Sequence, residues 1–267
     1  MDAPPQPRTG TNLRRGGLAL AIAKLFFLLS GYAISIALTR LVEPATFGLY
    51  GVVSMVIAVP NMVLIQTILF TVSRPMAAEV GRGLASYGAL RRRGFRLAAI
   101  LGGAVCLVFW TGAEVIATRF FRDPALTLPL RTVAPIPVIY ALYAVNIGTL
   151  NATRRFGLQA TLDMFMAATK AGLIVGAALL GWELARILGG FTVAAGLALT
   201  LSVILVALAR PGRSEASGEG TSASPAGAPT TSTTAATGSL WRLAGSLLVF
   251  TAAVNLLLAL DLLILTR

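Results

Sequence analysis

The chain has 267 residues, 56% of them hydrophobic and only 12% charged, with a mean hydropathy of +0.81, which excludes an ordinary soluble domain, where about a quarter of residues are charged. It carries 22 Lys plus Arg against 10 Asp plus Glu, for a net charge of +12. Histidine is absent and Cys106 is the single cysteine, which excludes a disulfide framework, Cys/His metal sites and histidine acid-base chemistry, so no metal or cofactor is expected.

A hydrocarbon core about 30 Å thick needs about 20 apolar residues per helix, because backbone polar groups in lipid must be satisfied within the segment. Taken in chain order, residues 1–16 form a polar tail with Arg8, Arg14 and Arg15, and the first span covers 17–38 with Lys24 inside it. Paired arginines before an apolar run can mark an export leader. This run exceeds the roughly 7–15 residues of a leader core and no small-residue cleavage pattern follows it, so it is predicted to span. The chain then breaks at "LTRLVEPATFGLYG". Pro44 ends helical geometry there, Phe47 and Tyr50 suit the interfacial belt, and Gly48 and Gly51 permit close approach of the second helix.

The second span covers 47–72 and holds Asn61 and Gln66, with Arg74 just past its end. Arg91, Arg92 and Arg93 precede the third, 95–118, and read as a topology lock. The fourth, 130–150, opens among Pro129, Pro135 and Pro137, which are expected to shorten, kink or delay it, and carries Asn146. Asn151-Ala-Thr153 matches a glycosylation acceptor by chance, on the wrong side of the membrane. The fifth span, 158–180, contains Asp163, Lys170 and a Gly172-xxx-Gly176 step that allows close helix packing. The sixth covers 187–208. Residues 209–242 are Gly, Ser, Thr, Pro and Ala with almost nothing to bury, the composition of a disordered linker. A seventh span, 243–265, carries Asn255 and Asp261 and runs into the end of the sequence at 267.

The expectation is therefore an all-α membrane protein of about seven transmembrane helices: a six-helix lobe over 17–208, then one helix of an incomplete second lobe. Fourteen of the 22 basic residues fall on the side shared by the N-terminus and six on the other, the remaining two being Lys24 and Lys170. Basic residues near helix ends stay in the cytoplasm, so the N-terminus is predicted to be cytoplasmic and the protein a multi-pass component of a bacterial inner membrane. The same distribution accounts for the basic charge through anionic lipid headgroups rather than nucleic acid.

Charges inside spans cost about 2.5–3.5 kcal/mol on insertion scales and usually face a cavity or a partner. Lys170 lies 12 residues into the fifth predicted span, about 18 Å deep, where snorkelling is least effective. Asp163 is seven residues earlier, so both project from one face, about 10 Å apart. Lys24 and Lys170, with Arg40 or Arg74 at the rims, are candidates for a cationic cleft; Asp163, Asn61, Gln66, Asn146, Asn255 and Asp261 are candidates to line it with polar groups. The plainer alternative is that Lys24 snorkels, Asp163 pairs with Arg154 or Arg155, and the amides tie helices together.

The string "ALTRLVEPATFGLYGVVSMV" after the first span, followed by a helix ending "TVSRPMAAEVGR", resembles the N-terminal half of the polysaccharide and O-antigen flippases of the multidrug/oligosaccharidyl-lipid/polysaccharide exporter superfamily. Arg40, Leu41, Glu43, Pro44, Phe47, Gly48 and Tyr50 carry the likeness, with Arg74 and, more loosely, Asp261. The resemblance implies a transporter that moves a polyprenyl-diphosphate-linked glycan by alternating access, in contact with membrane lipids and with a second lobe or a second copy as partner. A drug or small-metabolite exporter and a truncated, non-transporting remnant are the alternatives. A membrane-embedded glycan enzyme would need a large outer loop, and 119–129 is too short; no phosphate loop is present either.

Overall fold

The computed structural model describes residues 9–81 and 86–209, together with 244, 245 and 249. The predicted linker and seventh span, with Asn255 and Asp261, lie outside the described residues apart from those last three positions. Among the described residues the chain is helical, with no strand, and six helices are long and apolar enough to cross a membrane: Gly16–Leu41, Pro44–Val80, Tyr87–Phe120, Pro124–Ala152, Phe156–Leu179 and Leu184–Leu208.

The first helix, α1, is Thr9–Leu41 and α2 is Pro44–Gly81. The connection is shorter than hydropathy implied, because Pro44 takes the first helical position, where its missing N–H is an orphan anyway. The carbonyl of Glu43 accepts from the Phe47 amide at 3.0 Å. Then follow α3, Tyr87–Val115, continued by a π-helical turn at Ile116–Phe120, and a short 3-10 turn at Pro124–Leu126 capped by Asp123, whose carboxylate accepts from the Ala125 amide at 2.9 Å. The fourth span is broken as its prolines suggested, into α4, Thr127–Val133, and α5, Ile136–Ala152, on either side of Ala134 and Pro135. Helices α6, Phe156–Leu179, and α7, Leu184–Leu208, complete the bundle.

The broken span is the axis of the fold. Of its most apolar stretch 78% is buried, against 11% for that of α1. Helix α5 packs against α2, α3 and α7, whereas α1 lies along α6 and scarcely touches α2, its neighbour in sequence. Close packing around α5 depends on single glycines. A Cβ added to Gly102 of α3 would sit 2.7 Å from Val138 Cα and 3.2 Å from the Pro137 carbonyl, and one added to Gly148 would meet Val72 at 3.2 Å. A Cβ added to Gly190 of α7 would likewise sit 3.1 Å from the Leu173 carbonyl oxygen. The glycines singled out by spacing behave otherwise: among the described residues, Gly48, Gly51, Gly172 and Gly176 have nothing within 4 Å of such a Cβ.

A stability difference follows between adjacent positions. Gly102→Ala should cost about 1–3 kcal/mol, the usual cost of forcing a backbone apart, while Gly103→Ala, which meets open space, should be neutral or slightly stabilising. Thermal unfolding of the two variants in the same detergent checks this, and equal behaviour would contradict the close α3–α5 crossing.

Candidate functional site

Polar and aromatic side chains form a line from an exposed lysine on α1, across α6 and α5, to α7. On α1, the Lys24 ammonium lies 3.2 Å from Asp163 Oδ2 of α6. The other carboxylate oxygen, Oδ1, accepts from the Tyr143 hydroxyl of α5, also at 3.2 Å. Tyr143 meets Tyr140 edge to face, with ring centroids 6.4 Å apart, and Tyr140 meets Phe191 of α7 at 6.2 Å. Over the face of Phe191, 4.1 Å from its centroid, stands the ammonium of Lys170.

Helical spacing explains each pair. Tyr140 and Tyr143 are three residues apart on α5 and so share a side; Asp163 and Lys170 are seven apart, two turns on α6. Lys170 lies 14 residues from the start of α6, about 21 Å along a helix of about 36 Å, near mid-membrane. Its amine is directed inward between α6 and α7. Among the described residues it has no carboxylate within ion-pairing distance, the two ion pairs there being Lys24–Asp163 and Arg131–Glu114. The negative face of the Phe191 ring is its counter-group, an interaction worth about 2 kcal/mol when desolvated.

The two lysines differ in how they are held. Lys24 leaves 69% of its side chain exposed while reaching a carboxylate that is only 12% exposed. It therefore does more than snorkel to the membrane surface, and Asp163 pairs with it rather than with Arg154 or Arg155.

A second polar network ties α3, α5 and α7 nearer the end that holds the start of α1. The Arg91 guanidinium donates to Asn146 Oδ1 at 3.2 Å, Asn146 Nδ2 donates to Ser202 Oγ at 2.8 Å, and that hydroxyl donates to the Leu199 carbonyl at 2.7 Å. Asn146 is fully buried. Arg91 also stands over Phe95, 5.3 Å from the ring centroid. Of the three consecutive arginines it is thus an interior group, while Arg92 stays exposed and donates back to the Gly88 carbonyl.

Among the predicted site residues, Lys24 and Asp163 are in contact, Lys170 stands at the far end of the same line, on Phe191, and Asn146 joins the neighbouring network. Arg40 and Arg74 are not part of the line. Arg40 is exposed in the last turn of α1, and Arg74, 30 residues along α2 or about 45 Å, lies past the hydrocarbon thickness with its guanidinium 5.9 Å from the Phe70 ring. Asn61 is buried on α2 and Gln66 half-buried, and neither hydrogen-bonds to the lysine line among the described residues. The sequence reading passed over Tyr140, Tyr143, Phe191 and Ser202, and took Arg91 for part of a topology lock. The i, i+3 tyrosines of "IYALYAVN" were the one local signal, since a hydroxyl at membrane depth needs a partner.

The sequence profile of the family described as "Polysaccharide biosynthesis protein" matches residues 37–215. A solved structure of a MOP superfamily transporter from Pyrococcus furiosus, for which reverse polarity of the binding pocket suggests a different function, superposes with a TM-score of 0.71 at 10% sequence identity. The match covers 97% of this chain and 57% of that one, so the likeness is one of fold, over little more than half of the neighbour's length. No curated protein sequence matches the chain.

Proposed function

Because the chain belongs to the polysaccharide biosynthesis protein family, we propose that it is a transporter lobe that moves a lipid-linked oligosaccharide across a bacterial inner membrane, its N-terminus on the cytoplasmic side. The observation that carries the reading is the Lys170 ammonium, on a half-buried residue near the middle of α6 with an aromatic face as its counter-group. A fixed positive charge at that depth is costly, and proteins keep such groups where an ion or charged substrate passes. A diphosphate headgroup is the cargo chemistry that such a charge favours, and Lys24 and the tyrosines add donors along the same line. The lipid tail stays in the bilayer, the headgroup crosses through the protein by alternating access, and no bond is made or broken.

Reconstitution tests this. Proteoliposomes containing the full chain should move a fluorescent polyprenyl-diphosphate sugar from one leaflet to the other faster than protein-free vesicles, and should leave the corresponding uncharged polyprenyl glycoside in place. Equal rates for the charged and uncharged lipids would refute the role given to the lysines.

A further inference from the structure

Asp163 is a carboxylate placed seven residues inside a span, on α6. Its two oxygens are held in unlike ways. Oδ1 is fixed by Tyr143, a 6% exposed side chain on the central helix. Oδ2 is held by Lys24, whose side chain is 69% exposed, so that among the described residues the ion pair is what restrains its amine. Lysine is a flexible stem ending in a compact charge with three donors, readily re-aimed. Of the other groups along this line, Tyr140 lies beyond Tyr143 on α5, Phe191 of α7 is uncharged, and Lys170 is two turns further along α6 with its amine on Phe191.

We propose that Lys24 is an exchangeable counter-ion, held by Asp163 in the empty protein and surrendered to the phosphates of an anionic cargo, so that Asp163 sets by competition how tightly cargo binds. The inference rests on the cargo class proposed above. It assigns the two lysines different work: Lys170 is the fixed charge, and Lys24 is the mobile one that leaves its carboxylate behind. Asp163 stays in place when Lys24 departs because Tyr143 still holds it. A diphosphate, bearing more than one negative charge, outbids a single carboxylate for the ammonium. An uncharged lipid cannot, so the pair remains closed against it and rejects it.

Equilibrium binding of farnesyl diphosphate to the full chain in detergent, with farnesol as control, tests the competition. Asp163→Asn, which keeps the shape and a hydrogen bond to Tyr143 but releases Lys24, should tighten farnesyl diphosphate binding about tenfold. Lys24→Ala should weaken it, and the double variant should show no gain over Lys24→Ala. The reversed pair, Lys24→Asp with Asp163→Lys, should regain wild-type thermal stability while binding less farnesyl diphosphate than Lys24→Ala, because the mobile group is then an anion. A pair that serves only to brace α1 against α6 predicts instead that reversal restores stability and binding together. If the wild type binds the diphosphate and Asp163→Asn binds it no more tightly, the competition is overturned and the cargo class stands. If neither the wild type nor any variant distinguishes farnesyl diphosphate from farnesol, both fail.

Discussion

Lys170→Met should reduce movement of a diphosphate-linked lipid at least tenfold while leaving the protein as stable as the wild type or more so. Methionine keeps the length and the apolar stem and removes the charge. The folded state then loses the ring interaction, worth about 2 kcal/mol, but no longer carries a charge whose placement in the membrane costs about 2.5–3.5 kcal/mol. The balance is a gain of about 1 kcal/mol. Loss of transport with retained or raised stability is what separates a working charge from a bracing one, since a residue kept for packing loses both together. Transport by reconstituted protein and thermal unfolding in the same detergent give the two readouts. Lys170→Arg keeps the charge and should retain part of the transport, whereas full activity in Lys170→Met would refute the assignment.

Asn146→Leu should have the opposite profile. The side chain is fully buried and joins the Arg91 guanidinium to the Ser202 hydroxyl, coupling three helices through one amide. Leucine of similar volume removes the carbonyl acceptor from Arg91 and the amide donor from Ser202. Each hydrogen bond lost with a buried partner left behind costs about 1–3 kcal/mol, more when the partner is charged, so a loss of about 2–4 kcal/mol is expected, read as lower yield of folded protein and a lower unfolding temperature. Adding Ser202→Ala should recover part of it, because the hydroxyl that lost the amide donor is then gone. A double variant no better than the single would mean that the amide acts through Arg91 alone.

The spans were legible because hydropathy reports which residues meet hydrocarbon, but helix ends were not, because the hydrogen-bond ladder runs on past the apolar stretch. Helix α3 begins at Tyr87, well before the predicted 95, and α2 continues to Gly81. The division at Pro135 was readable, since proline both removes a donor and crowds the preceding turn. Within one helix, periodicity puts Asp163 and Lys170 on a shared side. It could not supply Lys24, Tyr143 or Phe191 as their neighbours, because the order of helices around the bundle is set by packing over long separations, and local pattern holds no record that α1 lies beside α6. The glycines make the same point. Spacing singled out Gly172 and Gly176, where an added Cβ meets nothing among the described residues, while the close contacts fall on the isolated Gly102, Gly148 and Gly190.

That α1 is braced by α6 and scarcely by α2 has a consequence for how the chain is made. Lys24 and Asp163 are separated by 139 residues. At a ribosomal speed of about 5–20 residues per second, the opening helix waits roughly 7–28 s for its mate to be synthesised. During that interval an ammonium sits in the nascent chain without its carboxylate. The charge meets its carboxylate only when the segment bearing Asp163 arrives.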